Sequence, residues 1–227
     1  MLFQLLSDPI SLIGFLLAIL IGLTLHEFAH AWMAYRLGDM TAKYAGRLTL
    51  NPTKHFDPLG LIFLLLIGFG WGKPVPINPN AFKGRYDDLK VALAGPVTNF
   101  LIAFVFTIPI KIAENYGLTY DNNTILAFCK IIAEINIILA AFNLLPFYPL
   151  DGSHIITSLA PRSWDQKIDS FKKYGVIILL ILVLLEVVLN ISILSPIIVW
   201  VYRVFNAVIS VLIVSVIDGI KYLVGLL

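Results

Sequence analysis

The sequence predicts an all-α polytopic membrane protein, with about five spanning helices, a short re-entrant segment and a few short membrane-associated strands. Three observations carry this. Of 227 residues, 59% are hydrophobic and 13% charged, with a mean hydropathy of +0.90; a soluble domain is nearer about 25% charged. The apolar residues form unbroken runs, as helices do, and do not alternate as barrel strands would. Polar loops punctuated by Gly and Pro separate the runs, with no internal repeat or low-complexity linker. Residues 1–227 therefore read as one membrane-embedded domain, with a motif-bearing core at 9–160 and C-terminal helices at 174–227.

The first run, from Pro9 to Leu37, is long enough to span a bilayer. No basic region precedes it, so no cleavable signal peptide is expected. Arg47-Leu48-Thr49-Leu50 then alternates like a short strand. Residues 59–70 are apolar but too few to cross, which favours a re-entrant piece. Around Val75 and Ile77, the prolines Pro74, Pro76 and Pro79 indicate an extended or edge-strand segment. Spanning runs follow at Leu89–Ala113, Thr124–Leu145, Tyr174–Leu189 and Pro196–Val216.

Lys and Arg gather in loops 36–58, 71–90 and 151–173, whereas loop 114–123 has none. If segment 59–70 does not cross, all three basic loops share one side, which the positive-inside rule makes cytoplasmic. The N-terminus is then outside. A net charge of +2 gives no reason to expect a nucleic-acid partner. The single cysteine, Cys129, excludes an intramolecular disulfide framework and a Cys-rich zinc site, and reads as a small buried apolar residue.

The chemistry concentrates in the string HEFAH, His26 to His30. From Pro9 to Leu25 there is no charged side chain; then two imidazoles and a carboxylate arrive within five residues. Ionisable groups at membrane depth are costly and usually face a protein interior or a wet cavity. On a helix, His26 and His30 share a face and can offer nitrogens to one metal ion, with Glu27 beside them as a general base. The bland alternative is a polar patch bonded to neighbouring helices. A catalytic zinc needs a third protein ligand, and two histidines with one carboxylate is a known set. Asp151, in the turn-like PLDG string at the end of the Thr124–Leu145 run, is the candidate; a turn or helix-cap aspartate is the alternative.

HEFAH on a membrane helix, joined to NLLPFYPLDG (Asn143 to Gly152), resembles the site-2 protease family of intramembrane zinc metalloproteases. NPTKHFDPLG (Asn51 to Gly60), GWGKPVPINP (Gly70 to Pro79) and GPVTNF (Gly95 to Phe100) fit its compact bacterial and archaeal branch, without PDZ or CBS domains. The resemblance covers roughly residues 20–160. It implies one zinc per chain on His26, His30 and Asp151, with Glu27 as the base. It also implies hydrolysis of transmembrane segments of single-span membrane proteins near the cytoplasmic face of the bilayer.

Asn99 and Asn143, amides in apolar helices, are candidate donors to the oxyanion, or ordinary helix–helix hydrogen-bonding groups. His55 reads mainly as structural, with a place near the metal as the alternative; His154 stands either beside the metal site or in solvent. Glu186 and Arg203 are explained by a buried ion pair or by snorkelling. The rival functions are metal transport, a diiron oxygenase, and a proteolytically inactive membrane protein that binds metal or transmembrane helices. Four histidines with one coherent site count against the first two, and the intact Glu27 against the third.

Overall fold

The computed structural model describes residues 8–67, 70–119, 123–161 and 164–225. Seven helices carry the fold: α1 (Pro9–Arg36), α2 (Pro58–Ile67), α3 (Asp87–Asn115), α4 (Thr124–Asn143), α5 (Asp151–Leu159), α6 (Asp165–Leu189) and α7 (Leu194–Gly225). Their starts follow local capping chemistry. Asp8 accepts the N–H of Ile10 ahead of Pro9 at the first position of α1, and Asn123 accepts the N–H groups of Ile125 and Leu126 at the start of α4. Asp57 accepts from Gly60 to begin α2, and Asp87 accepts from Gly84 to begin α3.

Four helices among the described residues are long and apolar enough to cross a membrane: α1, α3, α4 and α7. The chain is a multi-pass membrane protein. This corrects the expectation of about five spans. The run at Tyr174–Leu189 does fold as helix, but it is the apolar end of α6, whose first turns carry Asp165, Lys167, Asp169, Lys172 and Lys173. At ten residues α2 rises only about 15 Å, half a hydrocarbon core.

The expected short strands are also overturned. No strand occurs among the described residues, and the nearest thing is an isolated antiparallel bridge between Phe56 and Gly72. The physical reason is that side chains satisfy the backbone groups that a ladder would have used. Arg47 donates to the carbonyls of Lys73 and Pro74, and Glu27 accepts the N–H of Val75. Pro74 and Pro76 have no N–H to give.

Helices α1, α3 and α4 form the centre, with α5 against α3, and α7 against α3 and α4. Ala18, Ile102 and Ile132, one from each central helix, meet in the core. Close approach of α1 to α4 depends on small residues. A Cβ at Gly14 would lie 2.8 Å from Ile131, and one at Gly22 would lie 2.6 Å from the Asn136 amide oxygen. Ala103, Ile137, Ile209 and Ile213 seat α7; Leu145, Leu150, Leu179, Val183 and Leu194 seat α6 on the turn between α4 and α5. Glu186 accepts the N–H groups of Leu194 and Ser195 and so caps α7, while Arg203 is exposed.

The loop after α1 is pinned by a buried carboxylate. Asp39, 1% exposed, accepts the N–H of Thr41 at 2.9 Å and that of Asn78 at 2.7 Å. Burial works against its charge, but hydrogen bonds from the Thr41 side chain and from the N–H groups of Asn78 and Thr41 outweigh burial and hold the carboxyl below its ordinary range. A carboxyl whose folded pKa is depressed adds stability above its unfolded value of about 3.9, and that stability is lost as pH falls through the folded value. Asp39→Ala is therefore expected to lower the stability of the detergent-solubilised protein by about 2 kcal/mol at neutral pH, with the difference from wild type shrinking below about pH 4. Thermal unfolding across pH checks this; an equal melting temperature at neutral pH contradicts it.

Candidate metal centre

HEFAH occupies α1 from His26 to His30, so His30 lies six residues, about 9 Å of rise, before the end of the helix at Arg36. The two imidazoles point at one another, with Nε2 of His26 and Nε2 of His30 3.1 Å apart and rings nearly perpendicular. Asp151, the first residue of α5, completes the group: its carboxylate oxygens lie 3.2 Å from His26 Nε2 and 3.2 Å from His30 Nε2. Both histidines are buried.

Glycines let the elements meet there. A Cβ at Gly95 of α3 would collide with His30 Nε2 and lie 2.6 Å from His26 Nε2, so only glycine leaves room for the imidazoles against that helix. A Cβ at Gly152 would strike the carbonyls of Leu144 and Leu145. Glycine there seats the first turn of α5 on the end of α4 and brings Asp151 to the depth of the histidines.

The far side of each imidazole is fixed by a carbonyl-type acceptor. His30 Nδ1–H donates to the carbonyl of Val91 at 2.7 Å. His26 Nδ1–H donates to the amide oxygen of Asn99 at 2.6 Å. Asn99 is fully buried, and its amide donates to the Gly22 carbonyl and to Asn136 Oδ1; Asn136 in turn donates to the Ile132 carbonyl. That chain of bonds leaves Asn99 Oδ1 as an acceptor and His26 Nδ1 as the donor. With both Nδ1 atoms donating, the two Nε2 atoms face each other and Asp151, where each deprotonated Nε2 presents a lone pair.

Two buried imidazoles and a half-buried carboxylate thus converge, and Asp151 Oδ2 has no hydrogen-bond partner there. Such a set repels itself unless a cation lies among its members. Two imidazole nitrogens and a carboxylate oxygen, all within 4.8 Å of one another, form a cluster able to coordinate a metal ion. The hydrogen bonds behind the two rings are of the kind that orient metal-ligating histidines.

A cavity of about 610 Å³ opens onto this cluster, and Glu27, Val75, Asn143 and His154 are among the residues that line it. Glu27 Oε2 accepts the N–H of Val75 at 3.0 Å. Asn143 reaches the cavity wall while one amide hydrogen goes to the Leu139 carbonyl at 2.9 Å. Asn99 does not line the cavity; it stands behind His26 with both amide hydrogens committed. His55 lies apart from the cluster, completely buried, with Nε2–H donating to the Thr49 carbonyl at 2.8 Å. His154 is exposed, lines the cavity and packs its ring against Tyr148.

Sequence reasoning missed Asn136, Arg47, the Val91 carbonyl and the steric role of Gly95. A lone amide in an apolar run was the available signal for Asn136, the same one that marked Asn99. Gly95→Ala is expected to displace the imidazoles and remove most bound divalent metal from the purified protein. Gly219→Ala, whose added Cβ would meet nothing within 4 Å, leaves metal content unchanged. Elemental analysis of the two variants compares them directly, and full metal content in Gly95→Ala contradicts the packing described.

The family model described as Peptidase family M50 matches residues 106–186, the stretch that holds Asp151. The "Putative zinc metalloprotease YwhC" of Bacillus subtilis (strain 168) is 42% identical over 179 residues, 77% of this chain and 82% of that protein. The "Putative zinc metalloprotease Rip2" of Mycolicibacterium smegmatis is 29% identical over 189 residues, 78% of this chain and 70% of its own. The "Putative zinc metalloprotease MJ0611" of Methanocaldococcus jannaschii is 33% identical over 150 residues, 62% of this chain and 68% of its own. No solved structure matches the chain. With four-fifths of a relative covered at 42% identity, and the family model matching the stretch around Asp151, the chain belongs to peptidase family M50.

Proposed function

We propose that the protein is an intramembrane zinc metalloprotease that hydrolyses peptide bonds in transmembrane segments of other, single-span membrane proteins. One observation carries the reading: a carboxylate, Glu27, stands beside a three-acceptor cluster on the wall of one cavity in a multi-pass membrane domain. His26, His30 and Asp151 would hold one zinc per chain. When bound, zinc supplies Lewis acidity to the scissile carbonyl and lowers the pKa of water.

The chain's own residues do the rest. Glu27 takes the proton of the attacking water and returns it to the leaving amine. Val75 N–H holds one oxygen of Glu27 and so limits the directions in which the carboxylate faces the cavity. Asn99 and the Val91 carbonyl fix the two imidazoles. Asn143 has a second amide hydrogen besides the one given to Leu139 and is the oxyanion donor in this reading. A helical substrate must open locally at the cavity, because a helix buries its peptide bonds. The basic loops 36–58, 71–90 and 151–173 support a cytoplasmic location for the site and an N-terminus outside.

The test is Glu27→Gln, purified in detergent and given a single-span substrate. Zinc content is expected to equal wild type while cleavage falls by about 100-fold or more. Cleavage at the wild-type rate removes Glu27 from the role of base. Zinc-loaded wild type that binds but does not cut transmembrane segments favours a helix-binding protein instead.

A further inference from the structure

The Arg47 guanidinium is 5% exposed, yet its hydrogen bonds go to backbone and to no carboxylate. Nη2 donates to the Lys73 carbonyl at 2.5 Å and Nη1 to the Pro74 carbonyl at 3.1 Å. Its Nε–H is buried without a partner. Burial opposes its charge and the Glu27 carboxylate attracts it without a hydrogen bond, so what its N–H groups hold is the two loop carbonyls.

What that hold does follows from the geometry of one peptide unit. The Pro74 carbonyl and the Val75 N–H belong to the same planar group and point in opposite directions. Arg47 holds the oxygen of that unit, and Glu27 Oε2 takes its hydrogen. Val75 carries the one backbone N–H between Lys73 and Ile77, because Pro74 and Pro76 have none. The preceding residue is fixed as well, with Lys73 N–H donating to the His55 carbonyl at 2.8 Å. The Val75 side chain packs with Ala31 and Ala42. The extended segment is therefore aimed at Glu27 by a fork of donors behind it.

We infer that Arg47 is a positioning residue for Glu27: by gripping the Lys73 and Pro74 carbonyls it orients the Val75 N–H that holds the Glu27 carboxylate at the cavity. This deepens the protease reading and rests on it for its kinetic consequence, while the orientation of the peptide stands apart from any activity. Lysine cannot substitute, because a single ammonium lacks the planar fork that reaches both carbonyls.

Two measurements on the full-length protein test it. The first is amide hydrogen exchange over residues 73–77 in wild type, Arg47→Lys, Arg47→Met and Glu27→Ala. Val75 is expected to be protected in wild type and to exchange at least about tenfold faster in all three variants. Unchanged protection in both Arg47 variants overturns the inference, whether or not the protein is a protease.

The second measurement is cleavage of a single-span substrate, with kcat expressed per zinc-loaded chain. Arg47→Lys is expected to lower kcat by about 10- to 100-fold, with KM and zinc content near wild type. A raised KM at constant kcat, or activity lost only in proportion to lost zinc or folded protein, overturns the positioning role. Failure of the protease reading shows differently, as wild type that does not cleave while the exchange result still stands.

Discussion

Two imidazole Nε2 atoms and a carboxylate face one another at the wall of a cavity, and as three acceptors they are favourable neighbours only with a cation among them. That convergence of His26, His30 and Asp151 is the constraint around which the rest of the protein is arranged. A core built only for stability would replace such a group with apolar side chains. Here the surrounding chain forces the three together and prevents each ring from turning away. The Val91 carbonyl and the Asn99–Asn136 amide pair hold the Nδ1 side of each ring.

The helix packing serves the same end. Small residues on α1 bring α4 close enough for Asn136 to bond Asn99, and Gly95 leaves the space on α3 that the imidazoles fill. Gly152 seats α5 on the end of α4, so that a residue 121 positions after His30 in the chain (151 − 30) arrives at 3.2 Å from it. The polar loops between α1 and α3 are held differently. Among the described residues they build no sheet, and their order comes from buried side chains, Asp39 and Arg47, bonded to backbone. The extended segment that reaches Glu27 is part of that loop framework.

Much of this was legible in the sequence, for definite reasons. Membrane helices announce themselves by length and hydropathy, so α1, α3 and α4 lie within two residues of their expected bounds, while α7, expected to end at Val216, runs on to Gly225. HEFAH stood out because charge is expensive in an apolar run. Asp151 was found as a carboxylate in a turn, although the string alone left a cap equally open. The failures have a common cause: a one-dimensional pattern reports what a residue is, and not where its side chain points. Asn99 stood open between an oxyanion donor and a helix–helix hydrogen-bonding group, and its amide bonds Gly22 and Asn136 behind His26. Arg47-Leu48-Thr49-Leu50 alternates as a strand would, but its guanidinium satisfies the neighbouring backbone instead of a ladder. The Tyr174–Leu189 run was counted as a span, although it is the apolar end of a helix with a charged start.

The central claim is that this cluster is built to hold one cation through all three groups. Elemental analysis of the purified chain, alongside His26→Ala and Asp151→Ala, tests it most directly. The account predicts one zinc per wild-type chain and its loss in both variants. Zinc kept at full stoichiometry in Asp151→Ala, or none in wild type purified with metal present, would contradict it.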